Sequence, residues 1–308
     1  IVVNSHDYLM FFTTKGRVYR LKGYEIGESS RASRGANIVN LLALDADEQV
    51  SAMIKMTDGQ EEGYFVMVTR QGVIKRTPVA DFKNIRRAGL NAVNLDEGDL
   101  LVSVRLTGGQ DQLLVATRRG YAIRFQESGV RSMGRAARGV RAIHLSPEDF
   151  VVNMDLVRPG ATLLTVSESG AGRRTALENY RLQSRGGKGI LNYNCQRNGP
   201  VAGVKVVEEG DDVILISDDG VVIRIAVGQI NLQSRYGGGV RVMRLAEGSK
   251  VVSLAVTPHE EAGEDGEAAP AQPFEAVDEG EPSAEELARL EAEDSAPDPS
   301  PEEPEPEN

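Results

Sequence analysis

The chain has no tryptophan, one cysteine (Cys195) and three scattered histidines, and none of its apolar runs approaches membrane-span length. Each absence excludes something. A single thiol rules out an internal disulfide framework and fits a reducing compartment, and a lone cysteine is ordinarily a small buried hydrophobe. Runs such as Val251–Val256 fall far short of the roughly 18 residues that a span needs, and no signal peptide opens the sequence. The reading is a soluble, cytoplasmic protein with no membrane partner. His6, His144 and His259 make no metal-ligand spacing with Cys195, and no Walker-type Gly-Lys-Ser/Thr loop is present. No catalytic residue, metal site or cofactor is expected within these residues.

What the chain does have is one pattern written five times. An apolar run ends in a polar turn at Gly16, Gly72, Gly120, Gly170 and Gly220. Four residues later stands an arginine: Arg20, Arg76, Arg124, Arg174 and Arg224. A second arginine follows at Arg31, Arg87, Arg135, Arg185 and Arg235, and each unit carries a further glycine at Gly35, Gly89, Gly139, Gly189 and Gly239. Self-similarity with a period near 50 residues marks a propeller or solenoid, whose units bury their apolar faces only against neighbours.

The runs are short, rich in β-branched residues and bounded by Gly, Asp, Ser and Thr, which predicts strands. Leu9–Thr13, Phe65–Thr69, Leu113–Thr117, Leu163–Ser167 and Val213–Ser217 each enter a tight turn and begin a β-hairpin. In the return arms Tyr121–Phe125 and Val221–Ile225, alternation turns Arg124 and Arg224 away from the apolar face. A third run is expected at Ile38–Leu44, Ala142–Leu145 and Val240–Leu245. The fourth follows an acidic turn, at Val50–Met56, Leu100–Leu106, Phe150–Val157, Val201–Val207 and Val251–Val256. Four strands per unit is a propeller-blade count. The opening Ile1-Val2-Val3-Asn4 enters a repeat partway, as Val151-Val152-Asn153 does, so the chain reads as a fragment of something longer.

The net charge of −11 misleads as an average. Residues 257–308 hold 19 acidic side chains against Arg289 alone, a net −18, which leaves +7 on residues 1–256. The division is a repeat-built body, 1–256, and an acidic tail, 257–308, whose Pro- and Glu-rich composition predicts disorder. Ser283-Ala284-Glu285-Glu286 has capping-box spacing and is able to start a short helix reaching Glu293. A basic array joined to an acidic tail suggests a polyanion partner, and the tail is expected to compete with that partner for the basic surface.

The strongest local constellation is Gln183-Ser184-Arg185-Gly186-Gly187-Lys188-Gly189. Its glycines allow close backbone approach, while Arg185 and Lys188 bring charge to phosphate. Weaker forms recur at Arg31–Gly35, Arg135–Gly139 and Gln233–Gly239, adding Arg34, Arg138 and Tyr236, the one tyrosine inside such a basic loop. For the first arginines there is a plainer alternative: structural residues between units, bonding carbonyls or carboxylates.

Gln183–Gly189 resembles the seven-residue box of the gyrase A subunit, Gln-Arg-Arg-Gly-Gly-Lys-Gly, matching six of seven positions with Ser184 in place of the first arginine. Gly16–Lys22, with Arg34-Gly35 and Ile38–Leu42, is similar to the second blade of that subunit's C-terminal domain. The resemblance covers residues 1 to about 256. It implies a six-bladed, propeller-like β-pinwheel whose basic rim wraps duplex DNA without sequence preference, with five blades visible here and the first, box-bearing one upstream. It also implies that the strand-cleaving tyrosine lies elsewhere, since no Ala-Ala-Met-Arg-Tyr motif occurs. The expected partners are duplex DNA, upstream cleavage domains and the gyrase B subunit in an A2B2 holoenzyme, which uses ATP and Mg for negative supercoiling. Two alternatives remain: the C-terminal domain of topoisomerase IV, a decatenase, and a protein-binding propeller. Against the latter, Kelch and WD repeats would carry tryptophans that this chain lacks.

Overall fold

The computed structural model describes residues 2–27, 37–259, 274–277 and 283–295. In chain order its strands begin with β1 (Tyr8–Thr13), β2 (Arg17–Lys22), β3 (Val50–Met56), β4 (Tyr64–Thr69), β5 (Val73–Pro78), β6 (Leu90–Asn91) and β7 (Leu101–Thr107). Then come β8 (Gln112–Thr117), β9 (Tyr121–Gln126), β10 (Val140–Arg141), β11 (Val151–Leu156), β12 (Thr162–Ser167), β13 (Ala171–Ala176) and β14 (Ile190–Leu191). The last are β15 (Val201–Val207), β16 (Asp211–Ser217), β17 (Val222–Ala226), β18 (Val240–Arg241) and β19 (Val251–Pro258). Two helices accompany them, α1 (Cys195–Asn198) and α2 (Ala284–Ser295).

All five expected hairpins form, and in four of them the turn is closed by the hydroxyl that ends the first arm. Thr13, Thr69, Thr117 and Ser167 accept from the backbone N–H of Arg17, Val73, Tyr121 and Ala171, each at 3.2 Å. A short Ser/Thr side chain does this because its oxygen reaches a turn donor that no strand partner satisfies.

The chain divides into two compact units: Ile1–Leu113 with Gln126–Ala142 and Phe150–Leu156, and Leu114–Phe125 with Ile143–Asp149 and Val157–Asn308. The first holds sheets of strand order β3-β1-β2-β6 and β10-β5-β4-β7. Its core packs Met10, Phe12, Phe65, Met67, Val79 and Phe82, with the Phe12 and Phe65 rings edge-on at 5.0 Å and Phe65 and Phe82 at 5.2 Å. Emptying one such phenylalanine site costs about 3–5 kcal/mol. The second holds β15-β12-β13-β18 and the three-stranded β17-β16-β19. Leu164, Val166, Val213, Leu215, Val227 and Met243 form its core, and Phe274 of the tail packs against them.

The third run of each repeat departs from expectation. It is a strand of only two residues, and it belongs to the sheet of the preceding repeat: Leu90 pairs with Val18, Val140 with Ile74, Ile190 with Ala122 and Val240 with Gly172. Its length is set by the hairpin beneath it. One residue further on, the N–H of Ala92, Ala142, Asn192 and Val242 donates to the carbonyl of the turn glycine, where the preceding hairpin ends. In the first repeat, Ile38–Asn40 is a 3-10 turn instead.

Candidate nucleic-acid interface

The swapped strands place each described basic loop on the hairpin before it. Met133, Gln183 and Gln233 enter the loops by donating their N–H to the carbonyls of Arg76, Arg124 and Arg174, at 2.8, 2.8 and 2.9 Å. The exit is tight. Gly189 has φ +77°, and a Cβ there would stand 2.5 Å from the Ala122 carbonyl, so only glycine lets the loop lie down on β9.

The first arginines face backbone carbonyls and carboxylates. Arg20 Nη1 donates to the Lys83 carbonyl at 2.8 Å, and its guanidinium lies over the Tyr8 ring. Arg76 Nη1 donates to Gly109 at 3.3 Å and stands 3.7 Å from Glu127. Arg124 Nη1 donates to Leu177 and Tyr180, and the buried Arg174 Nε to Ile230 at 2.7 Å. Arg224 Nε pairs with Asp212 at 2.7 Å. Arg20, Arg76, Arg124 and Arg174 thus each reach from their own hairpin to another segment of chain, while Arg224 bonds across its own hairpin.

The later basic residues differ in exposure. Arg87 and Arg138 are exposed, Arg138 pairing with Asp96, while Arg135, Arg185 and Lys188 are half-buried at loop edges. Lys188 Nζ lies 4.8 Å from the centre of the Tyr121 ring. Arg235 donates to the Leu191 carbonyl and lies over Tyr236. Within Gln183–Gly189, Gly186 takes φ +89°, the Gly187 carbonyl accepts from His144 N–H at 2.8 Å, and Gln183 Nε2 is buried without a partner among the described residues. Its counterpart Gln233 folds its Oε1 onto the N–H of Gly239 at 2.9 Å. Arg31, Arg34 and Gly35 lie outside the described residues.

Two cations escaped the sequence reading. Lys75 is 1 % exposed and Arg173 fully buried, one residue before Arg76 and Arg174. Lys75 Nζ donates to the carbonyls of Ala92 and Arg135. Arg173 donates to those of Asn192, Arg235 and Gly237. Burial drives the Lys75 ammonium down to about 8, with Arg135 adding to it and Asp81 opposing. The Arg173 guanidinium is likewise lowered by burial. The available signal was a cation at an inward strand position, which demands carbonyl partners if it is to be buried.

Burial pushes the Cys195 thiol up to about 11, so it is a poor nucleophile. Among the described residues no group of three or more His, Cys, Asp or Glu is placed to hold a metal ion, and no helix is long and apolar enough to cross a membrane.

The family described as DNA gyrase C-terminal domain, beta-propeller, matches five segments, residues 7–55, 63–107, 111–158, 161–208 and 211–258. The chain is 49% identical over 138 residues to the DNA gyrase A protein of Clostridium acetobutylicum, covering 45% of this chain and 17% of that protein. For the gyrase A protein of Halalkalibacterium halodurans the identity is 52% over 136 residues, covering 44% and 16%. The chain thus spans about a sixth of the length of these relatives. A solved C-terminal domain of DNA topoisomerase IV superposes with TM-score 0.77 at 28% identity, over 83% of this chain and 80% of that one. A DNA gyrase A C-terminal domain gives 0.71 at 27%, over 82% and 83%.

Proposed function

The chain belongs to the DNA gyrase C-terminal domain, beta-propeller, family, and on that premise we propose that it is the DNA-wrapping part of a gyrase A subunit. In this reading the basic loops neutralise backbone phosphates, mostly without reading base edges, and bend a duplex along the repeats. Bending roughly 20–30 base pairs by 40–90° costs on the order of 1–6 kcal/mol, so many weak contacts act together. The wrap presents a neighbouring duplex to cleavage domains of the same subunit with a fixed crossing handedness. ATP hydrolysis on a partner B subunit, with Mg, drives negative supercoiling in a cytoplasmic A2B2 assembly.

The observation that carries this reading is the repeated mounting of the loops. Met133, Gln183 and Gln233 each enter through a backbone hydrogen bond to the arginine that stands four residues after the preceding turn glycine, so the same mounting of a basic loop recurs in three successive repeats. The test is duplex binding by the chain across about 50–200 mM salt. With six to eight phosphates neutralised, log K should fall against log salt with a slope of roughly −5 to −7. A slope near zero, or strong preference for one sequence, would overturn it. The likeness to the topoisomerase IV domain supports a second reading, a decatenase. Supercoiling against decatenation by the whole protein with its B partner separates the two.

A further inference from the structure

Asp294 on helix α2 is set into a socket of donors on the second unit. Its Oδ1 accepts from the backbone N–H of Leu191 at 2.8 Å, and its Oδ2 from Arg235 Nη1 at 2.7 Å and the Tyr236 hydroxyl at 3.0 Å. Arg181 Nη2 donates to the Asp294 carbonyl at 2.8 Å, at the mouth of the same socket. The side chains of Arg235 and Asp294 are only 14% and 12% exposed. The socket is held from behind, because Arg235 also donates to the Leu191 carbonyl and its own carbonyl accepts from the buried Arg173.

A backbone N–H, a guanidinium and a hydroxyl converging on two oxygens of one anion form the donor set that a phosphate diester takes. The Leu191 N–H is available because β14 is the outer strand of its sheet and turns this donor outward. The same position in the next repeat behaves alike: Arg241 N–H donates to the Glu275 carbonyl at 2.9 Å, with Arg244 paired to the Glu275 carboxylate at 2.8 Å. The acidic tail thus takes the outward donor of two successive swapped strands. Tyr236 distinguishes this socket, since Ala136 and Gly186 follow the corresponding arginines in the two preceding repeats.

We propose that the Leu191, Arg235 and Tyr236 socket is a binding site for one DNA backbone phosphate and that Asp294 is its built-in stand-in, displaced when duplex binds. The proposal rests on the DNA-binding reading above but commits to one site and one competing side chain. A diester and a carboxylate each bring a single negative charge and two acceptor oxygens, so the exchange conserves charge in the socket while freeing the helix.

The test uses the chain of residues 1–308, a 30-base-pair duplex and three variants: Asp294→Asn, Tyr236→Phe and the double variant. Asp294→Asn should tighten duplex binding about five- to tenfold at 50 mM salt, the scale of one net hydrogen bond, and converge on the parent at high salt. Tyr236→Phe on the Asp294→Asn background should lose most of that gain. In 15N-labelled protein the Leu191 amide should shift with Asp294→Asn and again when duplex is added. Steep, salt-dependent binding with an unmoved Leu191 amide and no effect of either substitution would overturn the socket and leave the DNA reading standing. Tightening by Asp294→Asn that Tyr236→Phe does not reverse would also overturn it, because the tail would then act by bulk charge. No duplex binding by parent or variants at any salt would instead sink the DNA reading itself.

Discussion

The guanidinium of Arg173 donates to the carbonyl oxygen of Arg235, and in the other unit the ammonium of Lys75 does the same for Arg135. In both cases a cation buried in one hairpin grips the backbone of an arginine in the basic loop of the following repeat. The contact joins core to surface. It fixes where the loop arginine sits and places a second positive charge beneath it, so the loop's position is part of the folding of its support.

Replacing Arg173 with Met keeps an unbranched apolar stem but leaves the carbonyls of Asn192, Arg235 and Gly237 without this donor. Stability should fall by about 2–4 kcal/mol, the range for stranding buried acceptors and breaking a buried charged contact. Denaturant unfolding measures it. DNA affinity should fall as well, because the loop carrying Arg235 loses its anchor.

Lys75 makes stability depend on pH. Its folded value, lowered by burial to about 8, lies below the 10.5 of an unperturbed lysine. Between those values the unfolded chain binds more protons than the folded one, so stability rises with pH across the window. The gain is complete above the unfolded value and is lost as pH falls through about 8. Unfolding free energies from pH 7.5 to 10 should therefore climb more steeply in the parent than in Lys75→Met. Parallel profiles would show that the ammonium is not desolvated.

Arg124 and the pair Arg185 and Lys188 should separate clamp from contact. Arg124→Ala removes donors to Leu177 and Tyr180 and should lower Tm by several degrees, on the order of 1–2 kcal/mol, with little change in the salt slope of DNA binding. Arg185→Ala with Lys188→Ala should leave Tm nearly unchanged and reduce that slope by about two. The reverse outcome would make the Gln183–Gly189 loop a structural clamp.

Removing the tail should strengthen DNA binding at low salt. A truncation after His259 keeps β19 whole and retains the 2.9 Å contact of His259 Nδ1 with Asp212, while removing all of the tail's −18. The tether holds that charge near the basic loops at an effective concentration reaching the mM range. The difference from the full chain should fade as the Debye length shrinks from about 10 Å at 0.1 M to about 3 Å at 1 M. Identical binding curves for the two chains would mark the tail as a passive appendage.

Local chemistry was enough to read the hairpins from the sequence. Thr13, Thr69, Thr117 and Ser167 close turns with a residue at the end of the same strand, and Leu113–Thr117 or Leu163–Ser167 show their β character within a few positions. The five-fold register of glycines and arginines was legible for the same reason: it is a pattern in one dimension. The helix expected from Ser283 is found at Ala284–Ser295, one more feature signalled by its own first turn.

Tertiary structure decided which partners those marked residues meet. Nothing near Arg124 in the chain reveals that its acceptors are carbonyls 53 and 56 residues away, or that Ile190 pairs with Ala122. Lys75 and Arg173 read as ordinary cations beside Arg76 and Arg174 until the fold buries them and supplies carbonyls. A residue's type and its neighbours along the chain set which conformations and charges it is able to offer. Whether a charge is spent on a carbonyl, a carboxylate or a phosphate depends on desolvation and on partners that only long-range packing brings within hydrogen-bonding reach.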